Sequence, residues 1–344
     1  MRSRRKIRVL VVDDSAVFRE ILSKGISSDP GIEVVATAKD AFDARDKIIK
    51  FIPDVMTCDV EMPKMNGIEF VRQLLPQYPL PVIMVSMVSG IVFDAISAGA
   101  VDFVAKPDMG SVNDVGSFIG ELISKIKIAA SAKVYLSKKN MGLRQVYRGK
   151  RIGKTNKIIA IGASTGGIEA VELVLGALPP NVPGIIIVQH IPSVFSRMFA
   201  ERLNTSIHLN VKEAQNGDWV ERGQVLIAPG DLHTRVKKTG ESYRVECFEG
   251  EKTSGHCPSV DVLFESVAKS AGKNAVGVIL TGMGYDGAKG LLAMRRKGAR
   301  TIGQDEKTSV VYGMPKVAFN IGAVEKQVSL DQIPQTIYDM LEED

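Results

Sequence analysis

At 344 residues, 45% of them hydrophobic and 24% charged, the chain is long enough for two domains that each bury a core. No apolar run approaches the ~18 residues of a membrane span, and VLVV between the basic start and Asp13-Asp14 is too short for a signal-peptide core, so a cytoplasmic protein without membrane insertion is expected. The net charge of +5 is concentrated: eleven Lys and Arg and no Asp or Glu lie between Leu122 and Ile168, with only Tyr135 and Tyr147 interleaved and no DNA-binding motif, so a solvated linker at 126–153 is favoured over a nucleic-acid arm.

Residues 7–124 alternate strand and helix. IRVLVV reads as a buried strand, and Ser15 is placed to cap a helix carrying Phe18, Ile21 and Leu22 on one face. EVVATA, VMTC, VIMV and DFVA follow as short β-rich runs. Between them lie helical patterns at Ala41–Phe51, Ile68–Leu75 and Phe93–Ala98, and a last helix carries Ile119, Leu122, Ile123 and Ile126. Five strands in strict alternation with five helices predict a parallel, doubly wound sheet whose ligands gather at the carboxyl strand ends. Asp13 and Asp14 end the first strand, Asp59 the third, Ser86 the fourth and Lys106-Pro107 the fifth. Three carboxylates at one sheet edge repel unless a cation neutralises them, and oxygen ligands in an open site suit Mg²⁺. One carboxylate can then act as nucleophile toward a phosphoryl group, with Lys106 and Ser86 holding the added oxygens.

This set resembles the receiver domain of bacterial response regulators, a flavodoxin-like fold, over about residues 7–125, giving a first domain of 1–125. The resemblance implies that Asp59 accepts a phosphoryl group from a histidine kinase. It also implies that Asp13, Asp14 and Asp59, with the Glu61 backbone carbonyl, hold Mg²⁺, and that Ser86 and Phe103 are switch positions. Phe103 is equally suited to core packing.

The second domain is placed at 154–344. Ile158–Ile161 is a buried, β-branched run that breaks at Gly162-Ala163-Ser164-Thr165-Gly166-Gly167, after which Ile168, Val171, Leu175 and Leu178 recur at helical spacing. Glycines flanking a serine between strand and helix can lift its hydroxyl clear of the sheet as a nucleophile; a phosphate-cradling loop or a tight turn is the competing reading. GIIIVQH is another buried strand, ending at His190, and Phe195–Leu203 a helix. Residues 209–248 read as an antiparallel insertion of short alternating runs. A helix at Val260–Ala271 leads into the strand AVGVIL, which stops at Thr281-Gly282-Met283-Gly284-Tyr285-Asp286-Gly287. A helix beginning at Ala288, a strand RTIGQ and two C-terminal helices complete the domain.

Serine hydrolysis needs a base and a group that orients it. Of four histidines only His190 ends a predicted parallel strand; His208 and His233 fall in the insertion and His256 in the loop GHCPSVD, where a change to Gln is expected at most to weaken substrate binding. Asp286 follows another parallel strand, so Ser164, His190 and Asp286 are expected at one sheet edge. Their chain order differs from the Ser, Asp, His order of α/β-hydrolases. Gly282-x-Gly284-x-x-Gly287, with Asp305 beyond it, also matches a dinucleotide-binding fingerprint. Against that, Asp286 would repel a pyrophosphate, and the match falls late in the domain.

IGASTGG, VQH, NGDWVERGQVLIAPGDLH, CPSVDVLF and LTGMGYDG resemble the catalytic domain of the chemotaxis protein-glutamate methylesterase family, CheB. Residue by residue the resemblance implies Ser164 as nucleophile, His190 as base, Asp286 as orienter, and Thr165 with the Met283 amide at the oxyanion. Cys257 departs from the family, where Arg is common. The implied activity is demethylation of glutamate methyl esters on chemoreceptors, with methanol released, and deamidation of receptor glutamines, needing no cofactor beyond Mg²⁺ at the receiver. The receiver is expected to cover the catalytic edge until Asp59 is phosphorylated. A response regulator whose second domain only binds a nucleotide or partner is the alternative. The three cysteines lack metal-site spacing and are expected as reduced thiols.

Overall fold

The computed structural model describes residues 5–87, 91–107, 112–132 and 156–342. It divides into two compact units, 1–139 and 140–344.

In the first unit β1 (Ile7–Val12), β2 (Ile32–Ala38), β3 (Val55–Asp59), β4 (Val82–Ser86) and β5 (Asp102–Ala105) form one sheet in the order β2-β1-β3-β4-β5, with every pairing parallel. Helices α1 (Ala16–Ser27), α2 (Ala41–Phe51), α3 (Gly67–Leu74), α4 (Val92–Ser97) and α5 (Val112–Ala129) alternate with the strands. Ser15 caps α1 as its sequence position suggests, its Oγ accepting from the Phe18 amide at 3.3 Å. Helix α5 runs past residue 125, and Ile126 and Ala129 are fully buried; the stretch after residue 125 begins as helix, in keeping with the placing of Ile126 on the last helical pattern. Residues 133–155, which carry eight of the eleven basic side chains, lie outside the described residues.

The second unit is built on a seven-stranded sheet in the order β14-β13-β12-β6-β7-β9-β8, again parallel throughout. Its strands are β6 (Ile158–Ala163), β7 (Ile185–Gln189), β8 (Asn210–Glu213), β9 (Gln224–Ile227), β12 (Ala275–Ile279), β13 (Arg300–Gln304) and β14 (Lys326–Val328). Every residue of β6, β7 and β12 is buried, the pattern of strands covered on both faces. Helices α6 (Gly167–Ala177), α7 (Ser193–Ser206), α8 (Val260–Ser270), α9 (Ala288–Arg296), α10 (Met314–Asn320) and α11 (Ile333–Glu342) supply that cover.

The antiparallel insertion is smaller than expected. Among the described strands β10 (His233–Thr239) and β11 (Ser242–Phe248) pair antiparallel, with an isolated antiparallel bridge from Trp219 to Arg244, whereas β8 and β9 extend the main sheet. Each is four residues long, too short for alternation to reveal strand direction. Strand β14, three residues long, was not read from the sequence for the same reason.

Candidate functional site

Strand β6 enters the second sheet first, and the chain then adds β7 on one side and β12 on the other. Such a reversal opens a crevice at the carboxyl ends of the strands. Register places three loops there together: Ala163 pairs with Gln189 and Gly162 with Ile279, so the residues following β6, β7 and β12 emerge side by side.

Ser164 sits on the first of these loops, its amide bonded to the Thr281 carbonyl at 3.0 Å and its carbonyl accepting from Gly167 N at 2.7 Å and from Gln189 Nε2 at 2.9 Å. The turn needs Gly166, whose φ of +76° opens α6. Gly162 does something else. It lies inside β6, and a side chain there would meet Val260 Cγ1 at 2.2 Å, so its role is to let α8 approach the sheet.

His190 and Asp286 meet directly. His190 Nε2 lies 2.9 Å from Asp286 Oδ2, and the two side chains are 8% and 1% exposed. Three further donors converge on the carboxylate: Ser259 Oγ at 2.8 Å and Asp261 N at 2.9 Å on Oδ1, and Val260 N at 2.8 Å on Oδ2. The two amides belong to the first turn of α8, whose N-cap is Ser259; carboxylates are stabilised there. Burial pushes the Asp286 carboxyl up, but the His190 bond and these donors outweigh it and hold it below its ordinary range. Because Asp286 accepts from Nε2, the imidazole presents Nδ1 as its basic nitrogen, the reverse of the chymotrypsin arrangement. Nδ1 is buried and, among the described residues, has no hydrogen-bond partner.

Thr165 is buried, its carbonyl accepting from Thr281 Oγ1 at 3.0 Å. The Met283 side chain is exposed. His256, expected to bear at most on substrate binding, lies against His190: the rings stack 3.7 Å apart at 10°. Ser259 and Gln189 also went unread, although Ser259 had a signal, a capping residue directly before an apolar helical pattern. The glycine-rich turn does not serve a dinucleotide: Asp286 points to His190 and α8 rather than outward, and Asp305 caps a local turn through Thr308 N at 2.9 Å.

In the first unit the strand-end residues also converge. Asp13, Asp14 and Asp59 bring ligand oxygens within 4.8 Å of one another. Lys106 Nζ lies 2.8 Å from Asp13 Oδ2 and 2.6 Å from Asp59 Oδ2. Burial and the Asp13 charge push the Asp59 carboxyl up, against the pull of Lys106. The single positive charge of Lys106 leaves three clustered carboxylates with net negative charge, a donor set of oxygens that suits a cation. Glu61 N donates to Asp59 Oδ1 at 3.2 Å. Ser86 is buried at the end of β4, and Phe103 is buried with Lys125 Nζ 5.0 Å from its ring centroid.

A receiver-type sheet with an acidic edge, and a second α/β unit that joins a histidine to a carboxylate beside a strand-end serine, together define a response regulator with a hydrolase-like output domain. A family model described as CheB methylesterase matches residues 159–337, and one described as response regulator receiver domain matches 9–112. The chain is 60% identical to protein-glutamate methylesterase/protein-glutamine glutaminase 2 of Syntrophomonas wolfei subsp. wolfei over 98% of each chain. It is 47% identical to the Salmonella typhimurium protein-glutamate methylesterase/protein-glutamine glutaminase over 96% of this chain and 95% of that one. The crystal structure of the Thermotoga maritima CheB methylesterase catalytic domain superposes with a TM-score of 0.53 at 35% identity, covering 55% of this chain and 100% of that one. The chain belongs to the CheB family of protein-glutamate methylesterases/protein-glutamine glutaminases. No helix among the described residues is long and apolar enough to cross a membrane.

Proposed function

We propose that this chain is a phosphorylation-activated esterase of chemotaxis adaptation, acting in the cytoplasm on methylated chemoreceptors. The observation that carries the reading is the His190–Asp286 pair, held at 2.9 Å with the opposite ring nitrogen buried and, among the described residues, unpartnered, one strand away from Ser164. His190 Nδ1 takes the Ser164 proton as Oγ bonds to the ester carbonyl carbon, and Asp286 stabilises the resulting imidazolium. The tetrahedral oxyanion falls to Thr165 and the amide of Met283, which has no hydrogen-bond partner among the described residues. Collapse breaks the bond to the methoxy oxygen, which leaves as methanol with the proton from His190. Water then attacks the acyl-enzyme, losing its proton to His190, and free glutamate and Ser164 are restored. With a glutamine side chain the leaving group is ammonia and the cycle is a deamidation.

At the receiver, Asp59 is the acceptor of a phosphoryl group from a chemotaxis histidine kinase. Asp13, Asp14 and Asp59, with the Glu61 backbone carbonyl, would hold Mg²⁺, which neutralises the carboxylates and the incoming phosphoryl oxygens. Lys106 and Ser86 pair with the added phosphoryl group, and Ser86 and Phe103 carry the change to the receiver surface. A fluorophosphonate probe tests the hydrolase reading: it labels wild type at Ser164 and leaves Ser164→Ala unlabelled. Absence of label on folded wild type overturns the reading in favour of a binding domain.

A further inference from the structure

Asp286 anchors the His190 ring at one nitrogen only. A ring held at Cβ and at Nε2 still rotates about the line joining them, and that rotation swings Nδ1 through an arc. An ångström of displacement at a reacting atom is costly, so something else must fix the plane of the ring. The His256 imidazole lies parallel to it, 3.7 Å away at 10°, and covers one face. Rotation of His190 would drive its ring edge into this neighbour.

His256 is itself anchored. Its amide donates to the Thr253 carbonyl and its carbonyl accepts from the Thr253 amide, both at 3.0 Å. Three residues further along the same loop, Ser259 bonds Asp286 Oδ1 at 2.8 Å. One segment thus supports both the carboxylate and the face of the base.

We propose that His256 is a positioning residue of the esterase site, whose ring fixes the plane of His190 and so keeps Nδ1 aligned for Ser164. The proposal rests on the esterase reading and deepens it. The stack survives the catalytic cycle only if the two rings are never charged together, since two unit charges so close repel strongly. Burial, and then the charges of His190 and Lys252, bring the His256 pKa down to about 4 against the opposing pull of Asp286. His256 therefore stays neutral near pH 7 when His190 takes up the serine proton.

The test measures methanol release by the full-length protein from membranes carrying methylated receptor, with phosphodonor, for wild type, His256→Ala and His256→Phe, each checked by its melting temperature. His256→Ala is expected to lower kcat about tenfold with KM within about twofold, and His256→Phe, which keeps a flat ring, to recover kcat to within about threefold of wild type. If the Ala variant fails to melt cooperatively, His256→Gln replaces it with the same expectation. Three results overturn the proposal: kcat unchanged on loss of the ring, a rise in KM alone, or a Phe variant as slow as the Ala variant. Wild type that releases no methanol instead overturns the esterase reading beneath it.

Discussion

Replacing Asp286 by Asn changes one atom at the point where four donors converge. The carboxylate accepts from Ser259 Oγ, Asp261 N, Val260 N and His190 Nε2, all within 2.8–2.9 Å. An amide has one accepting oxygen, so in either orientation its NH₂ group faces a backbone N–H of α8, Val260 in one case and Asp261 in the other. An unsatisfied buried donor costs about 1–3 kcal/mol, and weakening charge-assisted bonds on the remaining oxygen brings the total to roughly 3–5 kcal/mol. For a unit of about 200 residues that lowers Tm by roughly 10 °C. If the NH₂ faces His190, the imidazole must accept at Nε2 and carry its proton on Nδ1, the nitrogen Ser164 requires. Loss of the base in this way is worth about 10⁴ in kcat, the size known for the same change in a serine protease. The two readouts are the thermal melt and methanol release at pH 7. The pH dependence has a definite sign. The folded Asp286 carboxyl lies below its ordinary value of 3.8, so its stabilisation is complete above about pH 4 and is lost as pH falls through the folded pKa. The Tm gap between wild type and Asp286→Asn should therefore narrow below pH 4. A variant melting within about 2 °C of wild type and keeping more than a tenth of its rate would refute the reasoning.

Ser164→Ala should lose roughly 10³-fold or more in methanol release while retaining its fold; near-wild-type release would remove the serine from the mechanism. Ser259→Ala gives up the α8 cap and one bond to Asp286, which should cost roughly 2–4 kcal/mol in a thermal melt and three- to tenfold in kcat; an unchanged melt would mean that water replaces the hydroxyl. Asp59→Asn should hold the full-length protein at its unphosphorylated rate, as should chelation of Mg²⁺, and phosphodonor stimulation that survives either would bypass Asp59. A chain starting at Gly153 should outpace the unphosphorylated full-length protein without phosphodonor, and a slower one would show that the receiver activates rather than inhibits.

What the sequence by itself determined is what periodicity and strand ends encode. Apolar runs such as IIAIGA and AVGVI could only be strands covered on both faces, and the residues that follow them, Ser164, His190 and Asp286, were legible as one edge because parallel strands share a carboxyl end. The receiver carboxylates were legible for the same reason. Direction in β8 and β9 was not, because four residues carry too little alternation and pairing partners are chosen by the rest of the sheet. Gly162 read as part of the serine turn, yet its need is steric and arises from Val260, ninety-eight residues later. Tertiary structure alone decided that Nε2 is the nitrogen of His190 that meets Asp286, that α8 aims two amides and Ser259 at the same carboxylate, and that His256 covers the base. Such features depend on how loops from distant parts of the chain close over one another. Their distances are set by packing, and packing leaves no period in the sequence.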